Sequence, residues 1–187
     1  MTKTTQNKEW KGNGATVRSM IGLSTVWNPE QRAEGDFYTT DPEAVKRLVE
    51  RFSLAWAPYK YFKFWEPACG TGCISKVLEK YGNGHPVIST DLYDRGYGKS
   101  GVDFLTAPLP EGVRIIITNP PYSLADDFVK HAMEILPWNG LYIALHNLNY
   151  LAGKARYNEI YSKGFLKRVY IHSGRINCYK NGIVTGK

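Results

Sequence analysis

Three clusters in this 187-residue chain carry residue types that could do chemistry. The first is Asn119-Pro120-Pro121-Tyr122, which follows the β-branched run ending at Ile117-Thr118. Two consecutive prolines lack both backbone donors, so they cannot continue a ladder and the chain must leave it in a fixed direction. The rigid turn leaves the Asn119 side chain and the Pro120 carbonyl as acceptors facing one place, with the aromatic face of Tyr122 beside them. That set suits a planar amine, with two acceptors for its protons and a ring for its plane. A purely structural Asn-Pro turn is the plainer reading, but the full tetrapeptide directly after a buried strand is unusual for one.

The second cluster is Glu66-Pro67-Ala68-Cys69-Gly70-Thr71-Gly72. Gly70 and Gly72 remove side chains where a backbone must pass close to a ligand. The loop lies between a strand pattern and a helix pattern, as in nucleotide-binding folds. It lacks the Gly-Lys-Ser/Thr of a P-loop and the full dinucleotide spacing. A neutral or cationic nucleoside therefore fits it better than a phosphate, although a short glycine turn alone is weak evidence. The third is Asp91, after Val87-Ile88-Ser89-Thr90 and about twenty residues beyond the glycine loop. An acid in this place can accept both hydroxyls of a ribose; otherwise it is a helix cap or a solvated turn.

The elements that must hold these residues follow from periodicity. Asp41-Pro42 has the form of a helix start, and Val45, Leu48, Val49 and Phe52 continue at helical spacing. Ile74, Val77, Leu78 and Tyr81 mark a second helix. A third is expected after Ser123 as its cap, with Phe128, Val129, Ala132, Ile135 and Leu136 inward. A fourth is expected within 151–162. Strands are predicted at 61–66, 86–91, 114–118, 140–146 and 168–172. Strands alternating with helices imply an α/β fold with a mainly parallel sheet. In such sheets ligands bind beyond the carboxyl ends of the strands, where all three clusters fall.

Composition sets the outer limits. The length suits one domain with a real core. The net charge of +7 favours polyanionic partners. Thirteen Tyr and five Trp are core residues first and stacking surfaces for bases second. No apolar run approaches membrane-spanning length, so a cytoplasmic protein with no membrane partner is expected. Cys69, Cys73 and Cys178 form no repeated pair and supply too few ligands for zinc. His85, His131, His146 and His172 show no metal-ligand spacing, so no metal is expected. His146 and Asn147 end a strand near the tetrapeptide, and Asn149-Tyr150-Leu151 read equally as pocket or packing residues.

Taken together, these motifs resemble the class I amino-methyltransferases of the DNA N6-adenine type, and most of all the small phage or prophage enzymes, over roughly residues 28–184. The family's cofactor loop matches Glu66 to Gly72, its ribose acid matches Asp91 with Leu92 beside it, and its catalytic motif matches Asn119 to Tyr122. Asp36-Phe37-Tyr38-Thr39-Thr40-Asp41-Pro42 matches the segment that closes over the methionine part of the cofactor. Gly101-Val102-Asp103-Phe104-Leu105 resembles the segment that touches the cofactor adenine. The resemblance implies a Rossmann-like fold and S-adenosyl-L-methionine as cofactor. It implies a cofactor site formed by Phe37, Tyr38, Thr40, Glu66, Pro67, Ala68, Cys69, Gly70, Asp91, Leu92, Asp103, Phe104 and Asn119. Asn119, Pro120 and Tyr122 are the implied catalytic residues, and DNA is the implied partner in a bacterial or phage-infected cell.

The chemistry agrees with the residues. The lone pair of an exocyclic purine amine is delocalised into the ring, so the amine is a poor nucleophile. Two acceptors on its protons draw the nitrogen toward tetrahedral geometry and expose the lone pair. Tyr122 would stack on a base extruded from the duplex. The same tetrapeptide would serve RNA adenine, cytosine N4 or a protein glutamine amide, and a non-catalytic cofactor- or DNA-binding protein is the reading from another class.

Residues 1–35 read as a flexible N-terminal arm, and 36–187 as the catalytic domain with no separate target-recognition domain. Lys163, Lys167, Arg168, Arg175 and Lys180, with Arg95, Lys99 and Arg156, are a solvated face by default and phosphate-contact candidates with a DNA substrate. The family's sheet has seven strands, the last antiparallel, and about six are countable here. The last strand is therefore expected to be missing, or reduced to a hairpin of Ile176–Tyr179 with Ile183–Thr185.

Overall fold

A computed structural model describes residues 37–52, 61–174, 176 and 178–180. The expected arm over 1–35, Arg175 and the 183–185 half of the expected hairpin lie outside the described residues. In chain order the elements are β1 (Tyr38–Thr40), α1 (Pro42–Phe52), β2 (Lys63–Glu66), α2 (Cys73–Tyr81), β3 (Val87–Ser89) and β4 (Val113–Thr118). They continue with α3 (Ala125–Ile135), β5 (Leu141–Ala144), α4 (Lys154–Arg156) and β6 (Cys178–Lys180).

The starts and faces of the helices follow from their residues. Asp41 accepts the Glu43 N–H at 2.9 Å, a cap of about 1 kcal/mol, and Pro42 opens α1. Val45, Val49 and Phe52 recur on one side of α1 and are buried there. On α2 the same role falls to Ile74, Val77 and Leu78. α3 buries Ala125, Phe128, Val129 and Ala132. Its N-cap is Leu124, with no side-chain cap bond, and not Ser123. A 3-10 turn over Tyr122–Leu124 takes up the residues after the prolines and delays the helix.

Four strands form a parallel sheet in the order β3-β2-β4-β5. β4 is buried nearly throughout, as expected of a strand covered on both faces. Phe64, Ile115 and Ile117 pack with α1 and α2 on one face, and Trp65 and Ile116 pack with α3 residues Phe128 and Ala132 on the other. At the rate of about 25 cal/mol per Å² of apolar surface, these two layers supply the main stabilising term. β1 and β6 form a separate antiparallel pair, Tyr38 opposite Lys180 and Thr40 opposite Cys178.

One expectation fails here. Arg168–His172 has the residues of a strand but is irregular, with Val169, Tyr170 and Ile171 exposed. β-branched and aromatic residues favour a strand only where a neighbouring ladder receives them, and this stretch pairs with no strand among the described residues; Tyr170 instead rests against Phe52, ring centroids 5.2 Å apart. Cys178–Lys180 forms a strand that pairs with Tyr38–Thr40, 138 residues or more away in sequence. The helix expected within 151–162 is present as the single turn α4 continued by a π-helical turn, Tyr157–Tyr161. No helix among the described residues is long and apolar enough to cross a membrane.

Candidate active site

Strand order reverses between β2 and β4: the chain proceeds from β2 outward to β3, and from β4 outward to β5. The crevice at such a switch point is where open α/β sheets bind ligands. The loop after β2 is Pro67–Gly72, and the turn after β4 is Asn119–Tyr122, so the sheet sets the first and third clusters on either side of that crevice.

Residues 69–70 are tied to the end of β3. The Cys69 N–H donates to the Thr90 carbonyl at 3.0 Å, and the Gly70 N–H donates to Asp91 Oδ2 at 2.8 Å. The other carboxylate oxygen of Asp91 accepts the Tyr93 N–H at 2.9 Å. Each oxygen keeps a second lone pair, so this buried carboxylate can still receive a ligand hydroxyl. The Val102 N–H donates to the Asp91 carbonyl at 3.1 Å, which brings the 101–103 segment beside the acid.

Gly70 and Gly72 have φ of +54° and +80°. A Cβ on Gly70 would lie 2.4 Å from the Phe37 ring, and one on Gly72 would lie 2.4 Å from the Tyr97 ring. Bare backbone is thus required twice, by conformation and by space. The Arg95 guanidinium sits 4.1 Å from the Phe37 ring centroid and 5.2 Å from that of Tyr93. Tyr97 is anchored by its hydroxyl, which donates to Glu79 at 2.7 Å.

Glu66 is buried beneath the loop. It accepts the Ser75 N–H at 2.7 Å and a short bond from the Ser75 hydroxyl. Burial pushes its carboxyl up to about 8, against the lowering effect of the Ser75 bonds. Burial likewise pushes the Cys69 thiol up to about 12, with the Glu66 and Asp91 charges adding to it, so it is an inert packing group.

At the third cluster, the Asn119 side-chain N–H donates to the Tyr38 carbonyl at 3.1 Å. Its Oδ1 is buried and has no partner among the described residues. The Tyr38 and Tyr122 rings lie 5.6 Å apart, tilted by 32°. Phe37 therefore covers the glycine loop while Tyr38 holds the tetrapeptide, so adjacent residues bridge the two sides of the crevice. Beyond Tyr122 opens a cavity of about 340 Å³, lined by Tyr122, Asp126, His146, Asn147, Tyr150 and Arg156 among others. His146 and Tyr150 stack nearly flat, 3.8 Å apart and 10° from parallel. Arg156 braces this shelf, donating to Asp126 at 2.8 Å and lying 4.5 Å over the Tyr150 ring. Burial pushes the His146 imidazole down to about 4, so it is neutral near pH 7.

Most of the expected site residues converge on the crevice: Phe37, Tyr38, Ala68, Cys69, Gly70, Asp91, Asn119, Pro120 and Tyr122. Glu66 and Pro67 are fully buried and support the loop from below. Thr40 is buried in β1, paired opposite Cys178. Leu92 and Asp103 are exposed; the Asp103 carboxylate accepts the Leu105 N–H at 3.0 Å in its own turn. The Phe104 side chain, expected in the cofactor site, is 2% exposed and packs among Trp65, Phe128 and His131. A ring that size in a gap between sheet and α3 gains more from the core than from a surface contact.

Asp126 carries no signal in the sequence that marks it for the site. The Asp126–Arg156 pair spans 30 residues with no local pattern to signal it. Arg95 and Arg156, expected on a solvated face or as phosphate contacts, are partly buried and engaged with side chains of the protein, Arg95 with Phe37 and Tyr93 and Arg156 with Asp126 and Tyr150. Among the described residues no group of three or more His, Cys, Asp or Glu side chains can hold a metal ion.

No protein-family model and no curated protein sequence matches the chain. Solved structures do. A Listeria monocytogenes protein assigned to the class I S-adenosylmethionine-dependent methyltransferases aligns over 80% of this chain and 58% of its own, with 14% identity and a TM-score of 0.53. TrmN from Thermus thermophilus aligns over 55% of this chain and 36% of its own, at 20% identity and a TM-score of 0.39. A type I restriction-modification methyltransferase subunit from Streptococcus thermophilus aligns over 61% and 35%, at 17% identity and a TM-score of 0.43. The chain thus spans less than two thirds of the length of each. Of the three, the Listeria structure carries the comparison, and it speaks to the fold. The parallel sheet, its flanking helices and its switch-point crevice are those of the Rossmann-like α/β fold of the class I S-adenosylmethionine-dependent methyltransferases.

Proposed function

We propose that this protein transfers a methyl group from S-adenosyl-L-methionine to the exocyclic amine of adenine, N6, in DNA. The observation that carries the reading is Asn119. Its amide is held by the Tyr38 carbonyl, which leaves a buried oxygen with no partner among the described residues beside the Pro120–Pro121 turn. An acceptor withdrawn from water and unused within the protein is costly unless it serves a ligand.

The residues also fit the cofactor. Gly70 and Gly72 provide bare backbone with positive φ, and Asp91 provides a buried carboxylate with lone pairs left for ribose hydroxyls. No lysine or arginine in the Pro67–Gly72 loop invites a phosphate. Held there by the Gly70–Gly72 backbone and Asp91, S-adenosylmethionine would supply the electrophilic methyl group. The protein's part is to orient the amine. Asn119 Oδ1 and the Pro120 carbonyl would accept hydrogen bonds from its two protons, and Tyr122 would stack on its ring plane. The cavity beyond Tyr122, with its flat His146–Tyr150 shelf, supports a planar target, and the charge of +7 supports a polyanionic carrier.

The test is methyl transfer from labelled S-adenosylmethionine to unmodified DNA of varied sequence, followed by nucleoside mass analysis. N6-methyladenine is expected, and Asn119→Ala should abolish it. Label on cytosine N4, or transfer only to RNA or protein, would replace the substrate, and no transfer to any base would overturn the reading.

A further inference from the structure

Asn119 has two ends, and only one can serve a planar amine as acceptor. An isolated asparagine side chain rotates between them. In this structure the choice is made by a main-chain group 81 residues away. The Tyr38 carbonyl can only accept, so it selects the NH₂ end, at 3.1 Å, and turns Oδ1 to the other side. The carbonyl is itself fixed. Tyr38 opens β1, and β1 is paired along its length with β6. The Tyr38 ring lies against Tyr122, whose side chain bonds that of Cys178 on β6. Asn119 is thus gripped through a strand pair that does not belong to the central sheet.

We propose that the Tyr38 carbonyl is the positioning group of the site, and that it makes position 119 specific for an amide over a carboxylate. The inference rests on the reading of Asn119 Oδ1 as the acceptor for an amine. A carboxylate at 119 would place one of its oxygens against the Tyr38 oxygen, acceptor facing acceptor, and the pair would repel. A protonated carboxyl would not: its O–H donates to Tyr38, and its carbonyl oxygen occupies the place of Oδ1. The variant Asn119→Asp should therefore be a pH-dependent enzyme with a carboxyl titrating above the usual range, because both burial and the facing carbonyl disfavour its charge.

The experiment uses the full chain, wild type and Asn119→Asp, with S-adenosylmethionine and unmodified DNA between about pH 5.5 and 8.5. Near pH 8 the variant should be slower in kcat by about 100-fold, the scale for losing one oriented transition-state dipole. Its rate relative to wild type should recover as the pH falls. Thermal denaturation of the two proteins across the same range gives a readout that needs no activity. The gap in Tm should be widest at high pH and close toward low pH, because the folded variant holds a proton that its unfolded chain releases. A flat Tm gap across this range, or a rate ratio that does not change with pH, overturns the positioning role. An inactive wild type with the expected Tm behaviour would instead overturn the function proposed above and leave the amide selection standing.

Discussion

The Gly70 N–H donates to Oδ2 of Asp91 at 2.8 Å, and the bond joins the loop after β2 to the loop after β3. Its partner oxygen holds the Tyr93 N–H. One carboxylate thus fixes both loops before any ligand arrives. Asp91→Ala should orphan two N–H groups and cost about 1–3 kcal/mol for a buried donor left without a partner. Calorimetry with S-adenosylmethionine should show at least a tenfold loss of affinity, about 1.4 kcal/mol. Loss of stability with unchanged cofactor affinity would reduce Asp91 to a structural clamp.

The Phe37 ring is seated on Gly70, where a Cβ would approach it to 2.4 Å. Gly84 also has positive φ, +76°, but nothing lies near it. Gly70→Ala should therefore cost more stability than Gly84→Ala, which carries only the conformational strain of about 1 kcal/mol. Pairing Gly70→Ala with Phe37→Ala should recover part of the difference, and a double-mutant cycle on Tm measures it. Additive effects would show that the two residues do not touch.

Glu66 titrates near 8 in the folded chain because it is buried, and near the ordinary 4.5 when unfolded. Between those values the folded state holds a proton that the unfolded state has lost. Stability should therefore fall as pH rises through that window, by at most about 1.4 kcal/mol per pH unit, and level off above it. Glu66→Gln keeps an acceptor for the Ser75 N–H and removes the titration. Denaturation midpoints taken near pH 5, 7 and 9 should show the slope in wild type and its absence in the variant.

The Tyr142 hydroxyl is buried with no partner among the described residues. Tyr142→Phe removes only that orphaned group and keeps the ring. Tm should rise by an amount equivalent to about 1 kcal/mol; a fall would reveal a partner for the hydroxyl.

Arg156 holds the target-side shelf by its Nε bond to Asp126, its bond to the Tyr150 carbonyl and its plane over the Tyr150 ring. Lysine keeps the charge but not this geometry. Arg156→Lys should raise KM for the methyl acceptor by about tenfold, with cofactor affinity unchanged, because the Asp126–Arg156 pair lines the cavity beyond Tyr122 and has no bond to the glycine loop. An equal loss in cofactor binding would place Arg156 in the general support of the fold.

The local patterns were legible because their causes are local. Glu66 to Gly72, Asp91 and Asn119 to Tyr122 reveal a glycine turn, an acid and a rigid proline exit through residue type and spacing alone. Helical and strand periodicity then assign them to the carboxyl ends of parallel strands. The distant partners, such as Tyr38 for Asn119 and Asp126 for Arg156, have no signal in the sequence, since they meet only in the fold. Ser123 was expected to cap α3, but the turn after the prolines uses it. Arg168–His172 had strand residues and no ladder to join. Phe104 matched a cofactor segment, and its ring went to the core.

By itself, then, the sequence determined the parallel α/β arrangement, the glycine loop and the tetrapeptide, because each depends on the conformational limits of residues adjacent in the chain. Only the tertiary structure decided which end of Asn119 faces outward, that β6 closes on β1, and that Arg156 braces Tyr150. Those are pairings across 81, 138 and 6 residues, and in the first two the chain must fold before the groups can meet. A hydrogen bond has direction, and only the partner's position in space supplies it.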